Sequence, residues 1–569
     1  MNTPPFHLES ASTDVLVVGA GGAGLRAAIE IAEQGVGVLV VSKERLGAAH
    51  TCMAEGGYNV ALTEVNPLDN PDIHLKDTLE GGAYLNRGSL AYALTHEAPA
   101  RLYDLERFGA IFDRDEHGKI AQRFSGKQTQ PHTVFVADYT GQAIMSALVD
   151  RARMLGVQVW DEHFVTALFA ATKSGQRQAC GALALDQHSG LLTAIQARAV
   201  ILCTGGGGRM YSVTTNAASN TADGFALALR LGVELVDMEM IQFHPTGMVV
   251  PNAMRGKLVT ESVRGEGGRL FNRDGERFME RYNPQRLELA GRDEVARAIY
   301  SEVQAGRGTD VGGVYLSVAH LPAATIEERL PSMLEQFLAV GVDIRKESMQ
   351  IHPSMHHIMG GVRIDDQGRS TLSGLFAAGE VTGGEHGGNR LGGNALAGCQ
   401  VMGKRAAASA AHFAAEQRDT LDIPVADLDR ELKRIGRYLE TSQRKQSVYV
   451  AHKQLQHIMW ENVGIMRHAD ALTQASSEVQ ALAATVNQGV RAIQGDPDYN
   501  REWLECLELE NMLITARAVI YAATLRTESR GAHYRRDYPE PSPEWERRNF
   551  VLNLDGEKLS HTVVNQSEM

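Results

Sequence analysis

Hydrophobic positions near the start of the chain change period twice. Val15 to Val18 form an unbroken apolar run, as expected of a strand buried on both faces, and they end in Gly19-Ala-Gly21-Gly22-Ala-Gly24. Leu25 to Gln34 then shows helical apolar spacing and stops at Gly35, and Val36 to Val41 predicts the next buried strand. Strand, helix and strand in this order predict a doubly wound α/β region. Residues 1–13 read as a polar, loose tail. Helices are expected near 90–113 and 140–156, and Ala199 to Cys203 predicts another buried strand ahead of a second glycine cluster at 204–208. From about 246 the character shifts to short mixed elements rich in charge, with a helical stretch near 325–340. Gly374 to Glu380 then returns to the strand-and-glycine pattern. Residues 425–530 are mostly amphipathic helix with little glycine. After Tyr534 the chain is polar and carries Pro539, Pro541 and Pro543, so it reads as a surface tail. The expected division is 1–245 and 351–424 as one discontinuous α/β domain, 246–350 as an insertion, 425–534 as a helical domain and 535–569 as a tail.

Composition narrows the partners. The chain has 569 residues, 43% of them hydrophobic and 22% charged, which is ordinary for a globular protein. Its net charge of −13 leaves no basic excess for nucleic acid, and an anionic substrate would need a local cationic pocket. The five cysteines, Cys52, Cys180, Cys203, Cys399 and Cys506, are scattered and include no C-x-x-C, so they form no zinc or iron–sulfur ligand set and suit a reducing compartment. No secretory signal is read at the N-terminus, and no apolar stretch reaches the roughly 18 residues that a membrane span needs.

The first glycine cluster matches G-x-G-x-x-G between a strand and a helix. Gly19 allows the tight turn, Gly21 and Gly22 let a pyrophosphate approach the backbone, and Gly24 lets helix and strand pack closely. The motif alone does not separate FAD from NAD. The second strand ends in Ser42-Lys43 and not in the acidic residue of a typical NAD ribose site. Further glycine clusters at 204–208 and 391–394 suit an extended dinucleotide touched along its length.

Further motifs follow in a fixed order: His50-Thr-Cys-Met-Ala-Glu-Gly-Gly57, Gln242-Phe-His-Pro-Thr-Gly247, Thr260-Glu-Ser-Val-Arg-Gly-Glu-Gly-Gly268, Gly291-Arg-Asp293, His356-His-Ile-Met-Gly-Gly361, His386-Gly-Gly-Asn-Arg-Leu-Gly-Gly-Asn394 and Arg526-Thr-Glu-Ser-Arg-Gly-Ala-His533. Each alone is weak. Together, over nearly the whole chain, they resemble the succinate dehydrogenase/fumarate reductase flavoprotein family. The resemblance implies a Rossmann-like FAD-binding domain, an α+β capping domain inserted at 246–350 and a helical domain behind it. It implies FAD carried covalently on His50, with Thr51, Gly56, Gly57, Asp223, Glu380, Ala395 and Leu396 also at the cofactor. It implies carboxylate binding by His244, Thr260, His356 and Arg390, and proton transfer by Arg292 relayed through Glu261 and Arg264.

This set suits the chemistry. Succinate/fumarate interconversion moves a hydride between one carbon and the flavin and a proton at the next carbon, on a substrate with a carboxylate at each end. Holding both ends orients the central bond, worth roughly 7–11 kcal/mol at best. An arginine, with a pKa of about 12 or more, is a natural acid and an awkward base without a relay. The resemblance further implies a quinone-binding membrane anchor, a separate iron–sulfur subunit, and a peripheral place at the inner face of the cytoplasmic membrane. His357, Ile358 and Gly387-Gly388 depart from the family's commonest wording. Glu55 stands where many members carry Gln, and a carboxylate there would lower the flavin potential and favour fumarate reduction. L-Aspartate oxidase, a non-catalytic flavin carrier and a soluble one-chain fumarate reductase are alternatives. His50 speaks against the first, the intact dicarboxylate set against the second, and the lack of a C-x-x-C-H haem motif against the third.

Overall fold

The computed structural model describes residues 6–566. Its main core lies on a seven-stranded sheet. Leu8–Val18 sits centrally, parallel to Val38–Val41 on one side and to Leu192–Leu202 on the other, and Gln158–Trp160 extends the sheet beyond Val38–Val41. The free side of Leu192–Leu202 is shared. Its first half pairs antiparallel with Gln176–Asp186, itself paired with His163–Lys173, and its second half pairs parallel with Leu375–Ala377. Residues 375–377 therefore rejoin the sheet after a long excursion, as the repeated strand-and-glycine pattern implies. Val15, Leu16 and Val17 are wholly buried, which is why this strand reads as a continuous apolar run.

The helix Gly22–Glu33 lies against the 23-residue helix Asn394–Glu416. Small residues set their distance: a Cβ on Gly403 would come within 2.7 Å of the Ala23 carbonyl oxygen. Strand and helix meet as closely at the first glycine turn, where a Cβ on Gly24 would lie 1.9 Å from the Gly19 oxygen. Gly24 is thus required by packing.

A second hydrophobic core is drawn from Met248 to Ile351. It covers a four-stranded antiparallel sheet in the order Ile241–Met248, Met349–Ile358, Val314–Ser317 and Arg269–Phe271. The helix Arg292–Glu302 packs on its first two strands. Behind the main sheet stand the helices Val425–Gly436, Val448–Asn462, Ala469–Gly489 and Arg501–Leu525. The fold is α/β, a doubly wound sheet with an inserted α+β unit and a helical unit.

Two expectations need correction. Residues 8–13 are no loose tail: they extend the central strand and pair residue by residue with 192–197, which supplies partners for their backbone groups. Residues 1–5 of that expected tail lie outside the described residues. The C-terminal segment is not simply a surface wrap either. Arg548–Asp555 and Lys558–Asn565 form a hairpin that docks on Leu235–Val236 and buries Phe550, Val551 and Leu552. The preceding prolines and charges drew attention from that short apolar run.

Candidate active site

One large cavity, about 1660 Å³ including its open mouth, runs from the glycine turn to the second core's sheet. Gly19, Gly21, Gly22, Ser42, Lys43, His50, Thr51, Gly56, Gly57, Asp223, Glu380, Ala395 and Leu396 line it, and so do His244, Thr260, Glu261, Arg292, His356 and Arg390. Of the residues expected at the site, Gly24 and Arg264 alone do not reach the wall. Gly24 serves packing, and Arg264 sits behind Glu261 with a nitrogen 3.2 Å from its Oε1.

The dinucleotide end fits FAD. Helix Gly22–Glu33 opens on the cavity with a glycine, Gly21, at its N-cap and no acidic residue in its first turn, which leaves a place for an anion. A Cβ on Gly21 would meet nothing nearer than 3.5 Å and one on Gly56 nothing within 4 Å, so the protein itself does not demand glycine at these two positions. A ligand lying against the backbone would. Thr51 Oγ1 accepts the Gly22 amide and joins the His50–Met53 turn to the helix start.

Further along, Lys43 Nζ donates to Thr221 Oγ1 at 2.6 Å, Asp223 Oδ2 at 2.7 Å and Glu508 Oε1 at 3.0 Å. Burial works against the Lys43 ammonium, but Asp223 and Glu508 more than offset it and raise its pKa. Asn511 donates to the other Asp223 oxygen at 2.8 Å. Asp223 is therefore held on both oxygens, partly by the distant helix Arg501–Leu525.

The other end holds the charged cluster. The neighbouring strands Ile241–Met248 and Met349–Ile358 bring His244 and His356 together, with ring centres 5.0 Å apart. Register breaks after Gln242 and His244 aim these side chains away from regular alternation. Arg292, first residue of its helix, donates from Nε to Glu261 Oε2 at 2.9 Å and from Nη1 to Gln242 Oε1 at 2.9 Å. Arg390 donates to the same Gln242 oxygen at 3.2 Å, and its Nε has no partner.

Burial alone would raise the Glu261 pKa; the Arg292 and Arg264 guanidiniums reverse this and hold it far below the usual carboxylate range. Burial first, then Arg292, pushes both His244 and His356 well below the ordinary histidine value. Burial, then Arg292, brings Arg390 down to about 9, so it stays charged at neutral pH. Arg292 and Arg264 on the Glu261 carboxylate, with Arg390 and two neutral imidazoles beside them, give this end of the cavity a cationic excess. That balance complements a dianion, in a chain whose overall charge is −13.

His50 Nδ1 accepts the Ala217 amide at 3.3 Å. Burial, then Arg390, lowers its pKa to about 4, so the ring is neutral and Nε2 is its remaining nitrogen. Glu55 corrects an expectation. Burial, then the Asp138 charge, pushes its pKa well above the usual range, and Oε2 has no partner. It enters the cavity wall as a group biased towards the neutral acid, which weakens the inference about direction drawn from a carboxylate there.

Three wall or near-wall residues went unnoticed in the sequence. Gln242 opens a motif whose histidine took the attention, and Asn389 precedes Arg390; both carried a positional signal. Glu385 carried none. It is 3% exposed, its Oε1 has no partner, and burial raises its pKa to about 8. A carboxyl whose folded pKa exceeds its unfolded value costs stability as pH rises from about 4.5 to about 8, because only the unfolded chain ionises over that window. Glu385→Gln is expected to melt with the parent at pH 4 and above it at pH 8, as thermal unfolding at the two pH values will show; equal shifts at both would contradict it.

Such a cavity on such a fold defines a FAD-dependent oxidoreductase. The FAD binding domain model matches residues 14–396 and the fumarate reductase flavoprotein C-terminal model matches residues 452–569. The chain is 47% identical over 547 residues to one subunit of the fumarate reductase (CoM/CoB) from Methanothermobacter marburgensis, covering 96% of this chain and 98% of that one. It is 36% identical over 581 residues to the succinate dehydrogenase flavoprotein subunit of Coxiella burnetii, covering 97% and 96%. A variant of the E. coli quinol fumarate reductase superposes with a TM-score of 0.91 at 31% identity, covering 98% of this chain and 97% of that chain. The chain belongs to the succinate dehydrogenase/fumarate reductase flavoprotein family.

Proposed function

We propose that this chain interconverts succinate and fumarate as the catalytic flavoprotein subunit of a larger complex. The observation that carries this reading is the convergence of His244, Thr260, His356, Arg292 and Arg390, a locally cationic set, on the FAD cavity. FAD, when bound, supplies the hydride acceptor or donor. His244 and Thr260 bind one carboxylate, and His356 and Arg390 bind the other. His244 Nδ1 is held by Thr246, whose carbonyl oxygen lies at 3.1 Å and whose amide lies at 3.3 Å, which leaves Nε2 for the substrate. Arg292 gives a proton to the carbon next to the one receiving hydride and takes it back in the reverse direction. Glu261, ionised and touching both Arg292 and Arg264, relays protons between Arg292 and solvent through Arg264, resupplying Arg292 in fumarate reduction and carrying the proton away in succinate oxidation. The residues from Met248 to Ile351 act as the cap that excludes water.

His50 holds the flavin covalently in this reading. A bond formed at Nε2 would leave the Nδ1 contact with Ala217 undisturbed. Electrons pass through a separate iron–sulfur subunit, which the scattered cysteines of this chain support. The Methanothermobacter relative is itself named as one component of a multi-chain enzyme. A quinone carrier follows the E. coli relative's name, whereas the Methanothermobacter name carries CoM/CoB. No helix among the described residues is long and apolar enough to cross a membrane, so attachment at the inner face of the cytoplasmic membrane would come through partners.

Anaerobic assays with artificial dyes test this. Succinate oxidation and fumarate reduction are both expected, with L-aspartate inert. Aspartate oxidation without succinate turnover would place the chain with the L-aspartate oxidases instead.

A further inference from the structure

We propose that Gln242 is the positioning residue that sets the spacing of Arg292 and Arg390 and ties that spacing to the seating of the cap. Its Oε1 accepts from Arg292 Nη1 at 2.9 Å and from Arg390 Nη2 at 3.2 Å, so one neutral oxygen bridges two like charges. Its Nε2 donates to Asn389 Oδ1 at 2.7 Å and to the Arg390 carbonyl at 2.8 Å. All four hydrogen-bonding positions of the amide are thereby filled. A flipped amide would turn its N–H groups on two guanidiniums and its oxygen on two acceptors, so only one orientation is tenable.

The chain of contacts continues. Asn389 Nδ2 donates to Asp293 Oδ1 at 2.7 Å, and Asp293 is itself held by Arg297 at 3.1 Å. Asp293 follows Arg292 at the start of the cap helix, while Asn389 and Arg390 belong to the loop below it. The ring Gln242–Asn389–Asp293–Arg292 therefore spans the join between cap and base and closes on both functional guanidiniums. Gln242 is fully buried, and a break in strand register directly after it turns it towards them. Without the shared acceptor no hydrogen-bonding group joins the two cations: Arg292 keeps Glu261, and Arg390 keeps the Leu391 carbonyl oxygen.

The inference rests on the functional reading above. Gln242→Met keeps the length of the side chain and removes its polar atoms; Gln242→Glu keeps the oxygen that accepts from both arginines and replaces the donating nitrogen with a second, negatively charged oxygen. In the flavin-loaded protein, Gln242→Met is expected to lower turnover roughly 10- to 100-fold and to raise KM for succinate. It is also expected to enlarge the solvent deuterium isotope effect on kcat, because proton transfer from a displaced Arg292 becomes limiting. Gln242→Glu is expected to lie nearer the parent on all three. Unchanged turnover and isotope effect in Gln242→Met would overturn the proposal. So would an activity loss matched by lost flavin and lower melting temperature with the isotope effect unmoved. Arg292→Ala separates the two readings: full activity there defeats the functional proposal itself, whereas an inactive Arg292→Ala beside an unaffected Gln242→Met defeats only this one.

Discussion

Arg292→Ala is expected to cut turnover in both directions by roughly 10²–10⁴-fold, the range typical of a lost general acid–base, while FAD remains bound. That loss corresponds to about 3–5 kcal/mol of transition-state stabilisation. The side chain makes its contacts as a fork: Nε and Nη2 go to Glu261 and Nη1 goes to Gln242. Truncation removes the proton donor and leaves Glu261 with Arg264 as its remaining cationic neighbour, so its pKa should climb from its depressed position. Arg292→Lys restores one charge but not the fork, and should remain strongly impaired. Dye-linked rates in both directions, with succinate binding followed by the flavin spectrum, will separate lost chemistry from lost affinity. A variant within tenfold of the parent would mean that another group transfers the proton.

His50→Ala should release all of its flavin on acid precipitation, whereas the parent should carry its colour into the pellet. Succinate oxidation should suffer more than fumarate reduction. The attachment raises the flavin's potential, and each 30 mV lost makes oxidation of substrate about tenfold less favourable at equilibrium. Flavin should still bind, because the glycine turn and the Lys43–Asp223 anchor are untouched. The ratio of the two dye-linked rates before and after substitution is the measurement. Free flavin from acid-treated parent protein would end the covalent reading and leave FAD binding intact.

Much of the site was legible because its residues sit in short local motifs with fixed chemistry. Gly19, Gly21 and Gly22 are found from the strand before and the helix after them. The charged set could be placed only through family resemblance, since no periodicity brings residues 244, 261, 292, 356 and 390 to one wall. What escaped was tertiary. The Gln242 amide looks ordinary in a strand until two guanidiniums meet on it. Glu385 gave no local sign of a buried carboxyl with one oxygen left unpaired. Glu55 was placed at the cavity, but its bias towards the neutral acid comes from burial beside Asp138, which local sequence does not show. The strand partners of residues 8–13 lie about 180 positions away, at 192–197, where short-range patterning carries no information.

The anchor at Lys43 has a bearing on biosynthesis. Its ammonium is held by Asp223 and by Glu508, and Asn511 holds the far side of Asp223. The glycine turn emerges from the ribosome first, yet this wall of the cofactor site is completed by residues translated more than 450 positions later. A nascent chain thus cannot form the complete pocket while it is being made. A chain truncated before the helix Arg501–Leu525 would lack the Glu508 and Asn511 contacts that lock Lys43 and Asp223.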